Sequence, residues 1–225
     1  MAQEKSKNID VNVGVLALQG GFIEHISHLH QCAKIISEKD DNPYCFKITE
    51  ARTVSEIEIL DGIIIPGGET TAMSILMGKN DQELLKALQR FAIAKPVLGT
   101  CAGLIMIANN IKGQMEMGQL KIGGIDVTVC RNAYGAQLQS FEAPLTITDC
   151  DVSDSRSTPM VFIRAPSIES IDSNKVQVLA TYKNVPVAVR QNNLIGLSFH
   201  SELTDNLTWH MYFLKTVINE KFLVK

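Results

Sequence analysis

Over its first 110 residues the chain alternates short apolar runs with segments of helical periodicity, an order that suits a covered, mostly parallel sheet. Residues 11–18 (VNVGVLAL), 44–49 (YCFKIT), 62–65 (GIII) and 95–98 (KPVL) read as strands. Between them, Phe22, Ile26, Leu29, Ala33 and Ile36 recur at three- and four-residue steps and predict a helix over 22–37. A short helix is expected over 53–59 and another over 70–76. A longer one over 81–93 has Leu84, Leu85, Leu88, Phe91 and Ala92 on one side. Residues 102–110 are apolar on most faces and predict a buried helix. Parallel strands need such crossovers and are covered on both faces.

From about residue 118 the pattern changes. Residues 119–130, 158–164, 175–182 and 185–199 alternate, with turns at Lys183-Asn184 and 191–193. Residues 148–158 read as a polar loop. Leu207, Met211, Leu214 and Ile218 place a docked helix over 205–219. The expected fold is therefore α/β: a three-layer αβα sandwich around a mostly parallel central sheet, with additional antiparallel strands in the second half. Residues 1–10 read as a flexible tail and 11–225 as one domain.

With 225 residues, 45% of them hydrophobic, the chain can bury one sizeable core. The net charge of -3, with no basic run and no aromatics interleaved with cations, gives no nucleic-acid footprint. The start is polar, without an apolar targeting core. No apolar run approaches the ~20 residues of a membrane span. Cys32, Cys45, Cys101, Cys130 and Cys150 are scattered, odd in number and lack CxxC spacing. A disulfide framework or structural zinc site is not expected, and a reducing, cytoplasmic setting is.

Ligands in parallel sheets gather at the carboxyl ends of strands. Residues 19–21, 67–71 and 99–103 all fall there. In the last of these, Gly99-Thr100-Cys101-Ala102-Gly103, a cysteine stands at the corner between strand and helix. A helix N-terminus lowers a thiol pKa, and free amides there can hold an oxyanion. An inert thiol at a glycine-tight corner is the competing reading. His200 follows an apolar run and Glu202 lies two residues on, so in extended chain both point one way. The carboxylate can then orient the imidazole while the other ring nitrogen faces a thiol. Gly67 and Gly68 leave amides uncovered, although a plain tight turn uses glycines equally well. His25, His28, His30 and His210 read mainly as surface or packing residues, with no metal-ligand spacing such as HExxH.

The Cys101, His200–Glu202 and Gly67–Gly68 pieces together resemble the class I glutamine amidotransferases, with their Cys–His–Glu triad. Six blocks in register narrow the likeness to the glutaminase subunits of pyridoxal 5′-phosphate synthases. They are GVLALQGGFIEH (14–25), IIPGGETTAMS (64–74), GTCAGLI (99–105), VCRNAYGAQLQSF (129–141), FIRAP (162–166) and GLSFHSEL (196–203). The resemblance implies that Cys101 is the nucleophile, His200 the proton carrier and Glu202 its orienter. It implies an oxyanion-hole region at Gly67, Gly68 and Ala102, with Gln19 in the loop tied to its partner-induced assembly. Glu69, Arg131, Ala133, Tyr134 and Ala136 are implied in substrate contact. The implied reaction is hydrolysis of L-glutamine to glutamate and ammonia through a thioester. The implied partner is a separate (β/α)₈-barrel synthase subunit that takes the ammonia. No cofactor and no metal is implied on this chain, and pyridoxal phosphate is the product of the complex.

Two positions depart from the family pattern. Ala136 stands where an arginine is usual, and Ser201 where a proline usually separates the histidine from the glutamate. An intact triad beside two altered supports predicts a working glutaminase with weakened substrate binding or partner coupling. A docking or regulatory subunit of the same complex is the alternative. A generic cysteine hydrolase is a third reading, disfavoured by the 14–25 and 129–141 blocks, which such an enzyme does not need.

Overall fold

The computed structural model describes residues 8–39, 42–113, 120–131, 140–152 and 159–223. The first half builds β1 (Ile9–Leu16), α1 (Phe22–Ser37), β2 (Tyr44–Ala51), α2 (Val54–Glu58), β3 (Gly62–Ile65), α3 (Thr70–Met77), α4 (Lys79–Ala94), β4 (Val97–Thr100) and α5 (Ala102–Ile107). The order matches the sequence reading, with ends shifted by a few residues. Thr53 and Glu56 set the start of α2 as a capping box, each side chain bonding the other's backbone amide. Glu69 caps α3 through both carboxylate oxygens, which accept from Thr71 and Ala72.

The second half adds β5 (Ala108–Lys112), β6 (Ile125–Cys130), β7 (Ser140–Ala143), β8 (Thr146–Ile147), β9 (Met160–Ile163), β10 (Ser167–Ile171), β11 (Gln177–Tyr182), β12 (Val185–Gln191), β13 (Leu194–Leu197) and α6 (Thr208–Leu223). The main sheet runs β2-β1-β3-β4-β13-β12-β11-β8. From β2 to β13 every pairing is parallel, and the last three pairings are antiparallel. A smaller sheet, β10-β6-β5, and the pair β7-β9 lie beside it.

Two apolar clusters cover the two faces. Val11, Val13, Val15, Ile64 and Leu98 pack with Leu29 of α1 and Trp209 and Phe213 of α6. Leu16, Ile63, Ile65 and Val97 pack with Ile57, Leu85 and Met106 from α2, α4 and α5. Alternate strand residues thus face opposite layers, as the expected three-layer sandwich requires.

Four sequence expectations change. The helix expected over 102–110 ends at Ile107, and Ala108–Lys112 is a strand. Parallel pairing with β6 captures it, and Asn109 reinforces the exit: its Oδ1 accepts from Gly124 N at 2.7 Å and its Nδ2 donates to Asp126 Oδ1 at 2.6 Å. The strand expected over 119–130 is confined to Ile125–Cys130 among the described residues. The final helix starts at Thr208, whose amide donates to Asn206 Oδ1, so residues 205–207 form its approach. The expected polar loop holds a 3-10 turn at Cys150–Val152. β7, β8 and β10 had no clear signature in the sequence.

The strand-to-helix corner is packed by glycines. A Cβ on Gly103 would stand 2.0 Å from the carbonyl oxygen of Ile65, a backbone atom that cannot swing aside. Overpacking of this kind costs about 1–3 kcal/mol. Gly103→Ala is therefore expected to lower the unfolding free energy by that much, read as a lower urea midpoint at unchanged slope. An unchanged midpoint would mean that α5 lifts freely from β3.

Candidate active site

β4, β13 and β3 lie side by side, and their carboxyl ends deliver three groups to one point. Cys101 leaves β4 with φ 49° and ψ -105°, a rare backbone state for a residue with a side chain. The surroundings hold it there. Its amide donates to Leu197 O of β13 at 2.8 Å, and its carbonyl receives the Ile105 amide of the first helical turn at 3.3 Å. The thiol is buried, with Sγ 3.9 Å from the Ile163 carbonyl oxygen. The first amides of α5 lack intrahelical acceptors, so Ala102 N–H is placed to serve a ligand.

His200 follows β13, and its amide donates to Val161 O of β9 at 2.8 Å. Its Nδ1 lies 2.7 Å from Glu202 Oε1. Glu202 belongs to a 3-10 turn, Ser201–Leu203, and its carboxylate is almost wholly buried. Burial opposes a charge on His200, but its hydrogen bonds to Cys101 and Glu202, and their charges, raise it to about 10. The ring is therefore biased toward its protonated form between the Cys101 sulfur and Glu202. Burial likewise pushes the Glu202 carboxyl up, yet His200 and His25 hold it below its ordinary value. Ser201, fully buried, occupies the first position of the turn without separating His200 from Glu202.

Gly67 fits under this pair because it lacks a side chain. A Cβ there would stand 2.4 Å from His200 Cε1 and 3.2 Å from Cys101 Cβ. Its N–H is donated to Thr100 Oγ1 at 3.0 Å. Gly20, at φ +89°, packs so closely on the Gly67 carbonyl that a Cβ would lie 1.7 Å from the oxygen. Gln19 Oε1 accepts the Glu69 amide at 3.1 Å, so the 19–21 loop is fastened to the 67–69 loop.

A cavity of about 220 Å³ opens over Cys101 and His200, with Gly68, Ala102, Arg131 and Arg164 in its walls and Glu69 and Thr70 at its side. That is below the ~300–1,000 Å³ of drug-sized pockets and suits a molecule of amino-acid size. Arg131 bonds Thr70 Oγ1 and stands 3.8 Å from Glu69 Oε1. Burial pushes the Glu69 carboxyl up, but the helix amides it caps and Arg131 bring it below the ordinary range. Ala133, Tyr134 and Ala136 lie outside the described residues.

The structure thus brings together Cys101, His200, Glu202, Gly67, Gly68, Ala102, Gln19, Glu69 and Arg131. Sequence reasoning missed Arg164, although the FIRAP block contains it; it reaches the cavity with φ 44°. The four histidines read as surface or packing residues divide between the two: His25, His28 and His210 are buried, and His30 is exposed. His25 Nε2 stands 3.3 Å from Glu202 Oε2. Leu29, Ala33 and Ile36 turned that face of α1 inward as the periodicity predicts, but histidine counts as polar in such a pattern and gave no sign that His25 and His28 share it.

Burial lowers His25 to about 4, with the Glu202 charge opposing, and lowers His28 and His210 too. Above pH 6.5 the folded and unfolded states both leave His25 neutral. Between 6.5 and 4 the unfolded chain binds a proton that the folded chain refuses, so stability falls with pH. For His25 alone the loss is on the order of 3 kcal/mol. Glu202 acts in the same direction, its contribution being present above the ordinary carboxyl value and lost as pH falls through its lowered one. Urea unfolding at stepped pH is expected to show the midpoint dropping from pH 6.5 toward pH 4. A flat profile over that window would contradict the buried neutral state.

Residues 15–219 match the family described as the SNO glutamine amidotransferase family. A "Probable pyridoxal 5'-phosphate synthase subunit pdx2" of Dictyostelium discoideum is 36% identical over 239 residues, covering 96% of each chain. A "Pyridoxal 5'-phosphate synthase subunit PdxT" of Clostridium kluyveri is 42% identical over 207 residues, covering 92% of this chain and 99% of its own. A solved structure described as a glutamine amidotransferase superposes with a TM-score of 0.76 at 34% identity, over 91% of this chain and 98% of its own. With a family match over most of its length and relatives that align from end to end, the chain belongs to the SNO glutamine amidotransferase family.

Proposed function

We propose that this chain is the glutaminase subunit of a pyridoxal 5′-phosphate synthase, hydrolysing L-glutamine and passing the ammonia to a synthase subunit. The observation that carries the reading is the buried line from Cys101 through His200 to Glu202 under a cavity of amino-acid size. Relatives named as subunits of that synthase, aligned along nearly the whole chain, support the partner, and the glutamine amidotransferase family supports the substrate.

In this reading His200 holds the Cys101 proton while the sulfur attacks the side-chain carboxamide carbon of glutamine, forming the C–S bond. The carbonyl π electrons move onto oxygen, which the Ala102 amide receives. Gly68 supplies the second donor. The Gly67 carbonyl faces Gly20, so the trans peptide aims the Gly68 N–H away from the 19–21 loop. His200 gives its proton to the leaving nitrogen, the C–N bond breaks and ammonia departs. Water then attacks the thioester carbon while His200 takes its proton, and the C–S bond breaks as His200 returns that proton to sulfur, releasing glutamate and restoring the thiol. Arg131 and Arg164 hold the substrate α-carboxylate, since a guanidinium fork matches a carboxylate. Glu69 faces the α-ammonium while capping α3.

The partner is a separate (β/α)₈-barrel subunit, and the complex works in the cytoplasm. Because the 19–21 loop is fastened to Gly67 and Glu69, a partner pressing on that loop adjusts the oxyanion donors. Activity is therefore expected to be low in the isolated chain.

Glutamate release is the test, measured with and without the cognate synthase subunit and beside Cys101→Ala. Release that needs both the partner and Cys101 is expected. A stable complex without release would move the reading to a docking subunit. Arg164→Ala is expected to raise KM for glutamine about tenfold or more, the value of a lost charged contact, with a smaller effect on kcat. An unchanged KM would remove Arg164 from the carboxylate site.

A further inference from the structure

Three buried histidines stand behind Glu202, and none of them lines the cavity. His25 and His28 sit on successive turns of α1, and His210 comes from α6. His25 Nδ1 is 2.8 Å from His210 Nε2. The His28 and His210 rings meet edge to face, with centroids 4.7 Å apart. On its other side His25 Nε2 lies 3.2 Å from Thr100 Oγ1 and 3.3 Å from Glu202 Oε2. Thr100 is the acceptor of the Gly67 amide, and Glu202 carries His200 on its other oxygen. One imidazole therefore touches the support of the base and the support of the 67–69 loop.

The tautomers follow from the donor inventory. His25 and His210 are neutral, so each has one N–H and one lone pair. Glu202 is a carboxylate and can only accept. A lone pair on His25 Nε2 would face that carboxylate at 3.3 Å, so the proton of His25 is on Nε2, where it bonds Thr100 Oγ1 beside the Glu202 charge. Its Nδ1 accepts from His210 Nε2–H, which leaves His210 Nδ1 as the lone-pair nitrogen. That atom has no hydrogen-bond partner among the described residues. Glu202 Oε2 likewise has none there, so His25 meets it as a close polar contact. The titratable groups facing His25 are Glu24 and His28 on its own helix, His200 and Glu202 on the 3-10 turn, and His210 on α6.

We propose that His25 is a positioning residue of the glutaminase centre, whose Nε2–H ties the Glu202 carboxylate to Thr100 and so fixes His200 and the Gly67 loop in one geometry. The inference rests on the glutaminase reading, because its effect is on that reaction. His25 touches no substrate. A directed chain runs from His210 through His25 to Thr100, beside the carboxylate oxygen that His200 leaves unused.

Two measurements test it. Histidine side-chain ¹⁵N NMR of the whole wild-type chain reads the tautomers without needing turnover or a variant. Nε2–H on both His25 and His210 is expected, and an Nδ1–H tautomer of His25 would overturn the proposal. Kinetics of the complex with its synthase subunit give the second. His25→Leu is expected to lower kcat on the order of 10- to 100-fold with KM little changed, as a displaced orienting group does. His25→Gln, which can place an N–H near the same point, is expected to recover most of that loss. Wild-type kcat in folded His25→Leu, or equal loss in both variants, would reduce His25 to a packing residue. Absence of turnover in the wild-type complex would instead remove the glutaminase reading, which keeps the two failures apart.

Discussion

The left-handed turn at Cys101 is the constraint on which the site depends. A side chain at φ 49° is strained, and the strain is held by a bond from its amide to Leu197 on the neighbouring strand. The same bond fixes where β13 ends, and hence where His200 begins. Gly99 and Gly103 then let α5 pack directly on the strand ends, with backbone where side chains would stand. The thiol, the base and the helix amides are thus placed by one corner of the sheet.

Glu202 is the electrostatic hinge of the arrangement. His200 lies on one of its oxygens and His25 near the other, yet the two rings are driven in opposite directions. His200 also meets Cys101, and its charged form wins over burial. His25 meets a neutral imidazole and a hydroxyl, and burial wins. A single carboxylate therefore separates a charged imidazole that faces the cavity from a neutral one in the core. The identity of the third neighbour decides the outcome.

The parallel half of the sheet was legible because fully apolar strands and glycine-ended loops leave strong local marks. Cys101, His200 and Glu202 were legible because their chemistry is local: a thiol at a helix start, and an imidazole two residues from a carboxylate. The rest depends on partners distant in sequence. Asn109 and Asn110 sit in a strand because β6 pairs with them, and nothing beside them announces it. The buried face of α1 runs through Leu29, Ala33 and Ile36, as the apolar pattern predicts, but its edge is filled by His25, His28 and Cys32 rather than by Phe22 and Ile26. Arg164 reaches the cavity through a backbone turn that its neighbours Ile163 and Ala165 do not foretell.

The contact between His25 and His210 joins residues 185 positions apart. His200, Glu202 and the helix bearing His210 all follow Cys101 in the chain. The nucleophile and the groups that assemble around it therefore meet only when the two halves of the sequence have folded onto one sheet.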